Sequence, residues 1–103
     1  MVNDSILPIE LSEGEDLNVT VSISNFTLPI TNIFWTKLGS IISSNQSRTN
    51  ILTDTLIQTA PISTTLQLSL LVPIDSGSYS VTAVNGAGND TLMFDISVTG
   101  ILL

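Results

Sequence analysis

Pro73-Ile74-Asp75-Ser76-Gly77-Ser78-Tyr79-Ser80-Val81-Thr82-Ala83-Val84-Asn85-Gly86-Ala87-Gly88-Asn89 holds a turn, a strand and a hairpin in succession. Tyr79, Val81 and Ala83 alternate with Ser80 and Thr82, the period of two that marks a half-buried strand. The stretch 85–89 carries the Gly and Asn of a hairpin turn, and Leu92, Phe94, Ile96 and Val98 resume the alternation beyond it. Upstream the same period returns in Leu66, Leu68 and Leu70, and in Leu17, Val19, Val21 and Ile23. Breaks at Glu13-Gly14-Glu15-Asp16, Leu28-Pro29, Thr31-Asn32, Leu38-Gly39-Ser40 and Ala60-Pro61 space the runs. No window shows a sustained helical period. The pattern predicts seven or eight strands, near 6–12, 17–24, 32–38, 40–43, 49–54, 64–71, 77–85 and 90–99. The expected fold is all-β, a two-sheet antiparallel sandwich, with residues 1–103 as one domain and 100–103 as the start of a linker.

Composition narrows the function. The chain of 103 residues is 43% hydrophobic with a formal net charge of −7, and its only cations are Lys37 and Arg48. A phosphate backbone needs a basic patch, so no nucleic acid partner is expected, nor is contact with an anionic membrane surface. The longest apolar run, Leu70 to Ile74, contains Pro73 and is far short of the ~20 residues of a membrane span. With neither His nor Cys, the usual ligands for zinc, copper and haem are missing, and so are imidazole bases and thiol nucleophiles. Carboxylates alone, on the turns of a small sandwich, rarely face each other across a cleft, so no enzyme and no cofactor is expected.

Five clusters, in order and at the right spacing, resemble the immunoglobulin superfamily and within it the I-set. They are Glu13-Gly14-Glu15 ahead of Leu17, Val19 and Val21; Trp35-Thr36-Lys37-Leu38-Gly39; Leu66, Leu68 and Leu71; Asp75-Ser76-Gly77-Ser78-Tyr79; and Tyr79, Ala83, Asn85 and Gly88. The resemblance implies an Ig-like sandwich with Trp35 at its centre and a tyrosine corner at Tyr79. It makes Trp35, Val21, Val81, Tyr79, Asp75, Gly77 and Leu68 core or corner residues, with Gly77 letting the chain bend closely. It also implies a pairing of Asp75 with Arg48. Where the family normally carries a disulfide, this chain has Val21 and Val81. That departure leaves the redox compartment unread and admits an engineered, disulfide-free scaffold as one origin.

Other sites are weighed on the residues. N-x-[ST] sequons stand at Asn3, Asn18, Asn25, Asn45 and Asn89; eight Asn among 27 Ser and Thr would give about two by chance. They are candidate N-glycosylation sites. Glu10, Glu13, Glu15, Asp16 and Asp75 gather near one pole without the spacing of a calcium loop, and read as a solvated face beside a structural Asp75. At the opposite pole Phe26, Leu28, Ile30, Leu56, Ile57 and Ile62 form a candidate partner surface if exposed, or caps of the core.

The resemblance then implies a non-enzymatic recognition or adhesion module, extracellular, in the ectodomain of a cell-surface receptor (receptor kinases included) or an adhesion protein. Its partner would be a protein, homophilic or heterophilic, or a neighbouring Ig domain. The alternative is a structural spacer in an intracellular filament protein.

Overall fold

The computed structural model describes residues 2, 6, 8–24, 26, 28–43, 48–54 and 61–100. Eight strands follow in order: β1 (Ile9–Ser12), β2 (Leu17–Ile23), β3 (Ile30–Lys37), β4 (Ser40–Ile41), β5 (Thr49–Thr53), β6 (Ile62–Leu68), β7 (Gly77–Asn85) and β8 (Gly88–Thr99). One sheet has the order β1-β8-β7-β3-β4 and the other β2-β6-β5. Every neighbouring pair is antiparallel except β1 and β8, which run parallel with Ile9 opposite Ile96 and Ser12 opposite Thr99. An all-β two-sheet sandwich is what the alternation and the turn spacing predict.

The inward rows pack as one core. Val19, Val21, Trp35, Leu66, Leu68, Leu71, Tyr79, Val81, Phe94, Ile96 and Val98 are buried together. Trp35 lies edge-on to Phe94 at 6.1 Å, and Phe94 stacks on Tyr79 at 5.8 Å. Burying the indole contributes roughly 2–3 kcal/mol. Its N–H is satisfied, since Trp35 Nε1 donates to Thr64 Oγ1 at 2.9 Å. Thr64, fully buried, also shares a 2.9 Å hydrogen bond with Thr53 Oγ1 on β5. Val21 and Val81 are both fully buried in this cluster, so apolar volume fills the positions where the resemblance expects a covalent tie.

Two segments depart from the expectation. The alternation through Leu66 and Leu68 does not continue to Leu70, which is 62% exposed while Leu71 is fully buried. Leu70 has φ 51, and one residue in the left-handed region shifts the inward phase by one. The break expected at Thr31-Asn32 is instead a register irregularity inside β3, which already begins at Ile30. A short 3₁₀ turn, Pro73–Asp75, joins the β6 side to β7.

Candidate functional site

The strands carry the chain between two poles. The β7–β8 hairpin closes one, with Asn85 opposite Gly88. The β1–β2 turn, the β3–β4 turn and the 3₁₀ turn lie at the other, where Gly14 N–H donates to Leu71 O and Leu38 N–H to Ser78 O. We term them the hairpin pole and the clamp pole.

At the clamp pole both cations and Asp75 are engaged. Arg48 forms a fork on Asp75, with Nη1 at 2.9 Å from Oδ2 and Nη2 at 3.2 Å from Oδ1. Nη1 also donates to the carbonyls of Ser69 and Leu70. Asp75 accepts Val72 N–H at 2.9 Å, and its carbonyl accepts Tyr79 Oη–H at 2.5 Å, closing a tyrosine corner. Lys37 Nζ donates to Ile74 O at 2.7 Å and sits 5.8 Å over the Tyr79 ring. Burial pushes the Asp75 carboxyl up, but the hydrogen bonds from Arg48 and Val72, with the charges of Arg48 and Lys37, outweigh it and hold the group below its ordinary value. Burial pushes the Tyr79 phenol up to about 12. Gly77 opens β7 with φ 149, which a side chain rarely adopts. A Cβ there would meet Leu38 Cδ2 only at 3.5 Å, so conformation demands glycine at Gly77, and close approach does not.

Four further acids hold backbone N–H groups and a fifth a hydroxyl. Glu15 Oε2 accepts Ser12 N–H, Asp16 Oδ1 accepts Leu70 N–H, and Asp54 Oδ2 accepts Ser63 N–H. Asp90 Oδ2 accepts Val2 N–H, which lowers its pKa, and Asp95 accepts the Ser78 hydroxyl. Among the described residues no three acids cluster as a cation cage would require.

At the hairpin pole the candidate partner surface is corrected. Ile30 is 3% exposed and Ile62 is fully buried, packed with Ile23 and Ala83. The reason is that strands occupy both positions: Ile62 opens β6 opposite Ile23, and Ile30 opens β3 opposite Asn85. Phe26 is half-buried against the same cluster, and Leu28 is 43% exposed. Leu56 and Ile57 lie outside the described residues. Asn85, which the sequence offers only as part of a hairpin, is a buried tie: Oδ1 accepts Ala87 N–H and Nδ2 donates to Leu28 O. Of the sequons, Asn18 is exposed on the outer face of β2 and Asn89 is exposed beside the hairpin; Asn3, Asn25 and Asn45 lie outside the described residues.

A family profile, the immunoglobulin I-set domain, matches residues 2–98. No curated protein sequence matches the chain. Among solved structures the chain is similar to the titin M3 domain, at 24% identity over 96% of this chain and 95% of that one, with a TM-score of 0.76. It is similar to the titin domains Z1Z2 in complex with telethonin, at 22% identity over 98% and 48% of the two chains, TM-score 0.79. The titin I-band fragment I67–I69 gives 22% identity over 97% and 32%, TM-score 0.77. At these identities the likeness is one of fold.

Proposed function

The chain belongs to the immunoglobulin I-set family, and from that premise we propose that it is a non-enzymatic module that joins neighbouring domains end to end and resists their separation. One observation carries the reading. Val2, near the start, bridges to Ile23 and bonds Asp90 at the hairpin pole, whereas Thr99 and Gly100 lie at the clamp pole, Gly100 against Pro73. The backbone therefore passes through the sandwich lengthwise. Because β1 and β8 are parallel, tension between the two ends loads their hydrogen bonds in shear, all at once, and Glu13 N–H to Thr99 O at 2.8 Å extends the set. The fold likeness to domains solved as titin tandems supports this reading. Stretching a tandem of identical copies in single-molecule force spectroscopy tests it. Leu11→Pro, which removes a β1 backbone N–H, is expected to lower the unfolding force well below that of the wild type; equal forces would remove the β1–β8 clamp from the account.

A second reading, an extracellular recognition or adhesion module, is supported by the exposure of Asn18 and Asn89 in intact sequons. Its test is the intact mass of the domain, secreted from a eukaryotic cell, before and after enzymatic removal of N-glycans. Occupied sites favour the extracellular module; a clean mass favours the spacer of an intracellular filament.

A further inference from the structure

Leu38 and Leu70 hold backbone conformations that leucine avoids. With φ of 50 and 51, they are the non-glycine residues with positive φ among those described. That region sets Cβ against the backbone, and Gly or Asn fills it at least cost. Leu38 and Gly39, both with positive φ, are the two central residues of the β3–β4 hairpin between Lys37 and Ser40, a geometry for which Asn-Gly is the favoured pair. Burial does not compensate: Leu38 is 71% exposed, Leu70 62%, and the neighbouring Ile74 79%.

These three side chains stand on the clamp pole, and the clamp fixes the backbone beneath each. Leu38 N–H is held by Ser78 O, and Leu70 by Asp16 at its N–H and Arg48 at its carbonyl. Ile74 is held by Lys37 at its carbonyl. Lys37 and Arg48, the whole basic complement of the chain, line one hollow of ≈120 Å³ with Asp75 and Tyr79 and are spent on this task. Strain that persists at exposed positions, where a cheaper residue would serve the fold, marks a site under functional constraint.

We propose that Leu38, Leu70 and Ile74 form a preorganised docking surface for another protein whose contact face is apolar at its centre and bears Lys or Arg at its rim. The rim chemistry follows from charge. Glu13, Glu15 and Asp16 occupy the turn that hydrogen-bonds Leu70 and Leu71; Arg48 is paired with Asp75, so Lys37, held on the Ile74 carbonyl, is the single cation left against these three acids. A second copy would bring the same acids with only Lys37 against them, so it is repelled where a basic rim is attracted. Rigid turns lower the ordering cost that a flexible apolar loop would incur on binding. The proposal does not rest on the spacer reading but constrains it: Gly100 leaves the fold at this same pole, so a following domain in a tandem must leave Leu38, Leu70 and Ile74 uncovered.

The test uses the 103-residue chain and two synthetic helical peptides that share a leucine face, one flanked by Lys and the other by Glu. Backbone amide shifts are followed by NMR, with L38G/L70G and Ile74→Ser as variants. The Lys peptide is expected to perturb residues around 38, 70 and 74, with affinity falling at least about tenfold in L38G/L70G, whose charge is unchanged. The melting temperature of that variant is expected to stay level or rise. Unchanged affinity in both variants would show charge alone at work and overturn the proposal. A clear fall in melting temperature would also overturn it, by showing that the leucines serve the fold.

Discussion

At the hairpin pole Ile23, Ile30, Ile62 and Ala83 are at most 3% exposed, whereas at the clamp pole Leu38, Leu70 and Ile74 stand between 62% and 79% exposed. Both poles are rich in large apolar residues, and both adjoin the same core. The difference lies in what holds the backbone. At the hairpin pole the strands themselves run on, so Ile30 and Ile62 inherit an inward direction from β3 and β6. At the clamp pole the chain is in turns, and the inward direction ends with Leu68 and Leu71. Beyond them side chains project outward, while charges fasten the carbonyls.

Truncation should expose this contrast most sharply. Ile62→Ala is expected to cost about 2–5 kcal/mol in a denaturant melt, as a cavity opens in a fully buried cluster. Ile74→Ala, at the clamp pole, is expected to stay within about 0.5 kcal/mol. Equal costs would erase the distinction between the poles.

A second probe is the clamp-pole phenol. The folded pKa of Tyr79 lies above its unfolded value of 10, so the unfolded chain loses the proton first. The contribution to stability is therefore complete below pH 10 and lost as pH rises through about 12, up to roughly 2–3 kcal/mol. Because Tyr79 is the only tyrosine, its ultraviolet titration reads this directly. A midpoint at 10 would mean that the corner is open to water.

Between the poles, Val21→Ala and Val81→Ala are each expected to cost about 1–3 kcal/mol. Thr64→Val should cost a similar amount, about 1–3 kcal/mol, by leaving the Trp35 indole N–H buried without an acceptor, and Thr64→Ser should restore most of it. Neutral values would place these residues outside the packed centre.

The smallest effect should lie in acid. The folded pKa of Asp75 is lowered, so the stability it contributes is present above the ordinary value of 3.8 and lost as pH falls below it. Asp75→Asn should flatten that part of the stability profile, measured by denaturant midpoint against pH. An unaltered slope would show that the fork to Arg48 carries no net stability, as exposed ion pairs often do not.

Much of the fold is legible in the chain because a strand signals itself locally. The rows Leu17 to Ile23 and Leu92 to Val98 alternate in burial as read, whereas in β7 Ser80 and Thr82 are buried along with Tyr79, Val81 and Ala83, so that strand is covered on both faces and not half-buried as its alternation predicts. Leu70 is misread because a single left-handed residue leaves no mark when it is a leucine; a Gly or Asn there would have warned of it. Ile30 and Ile62 are ambiguous for another reason. They sit just outside recognisable runs, and whether such a residue is buried depends on a strand distant in sequence continuing opposite it. For the candidate sites, the sequons are read directly from three residues, but the exposure of Asn18 follows only from the outward phase of β2. The Arg48–Asp75 pair follows from the family resemblance, but the convergence of Lys37 and Asp16 on residues 70–74 has no local signature.

The sequence by itself determined the period of two, the placing of the turns, the single large aromatic at Trp35 and the near absence of cations. From these follow a sandwich and the expectation that it does not bind a phosphate backbone. Only the tertiary structure decided that one pole buries its isoleucines while the other displays its leucines, and that both cations are consumed in holding that display. Burial at a chain's turns is a sum over contacts from distant strands, whereas alternation within a strand is fixed by the geometry of one pleated backbone.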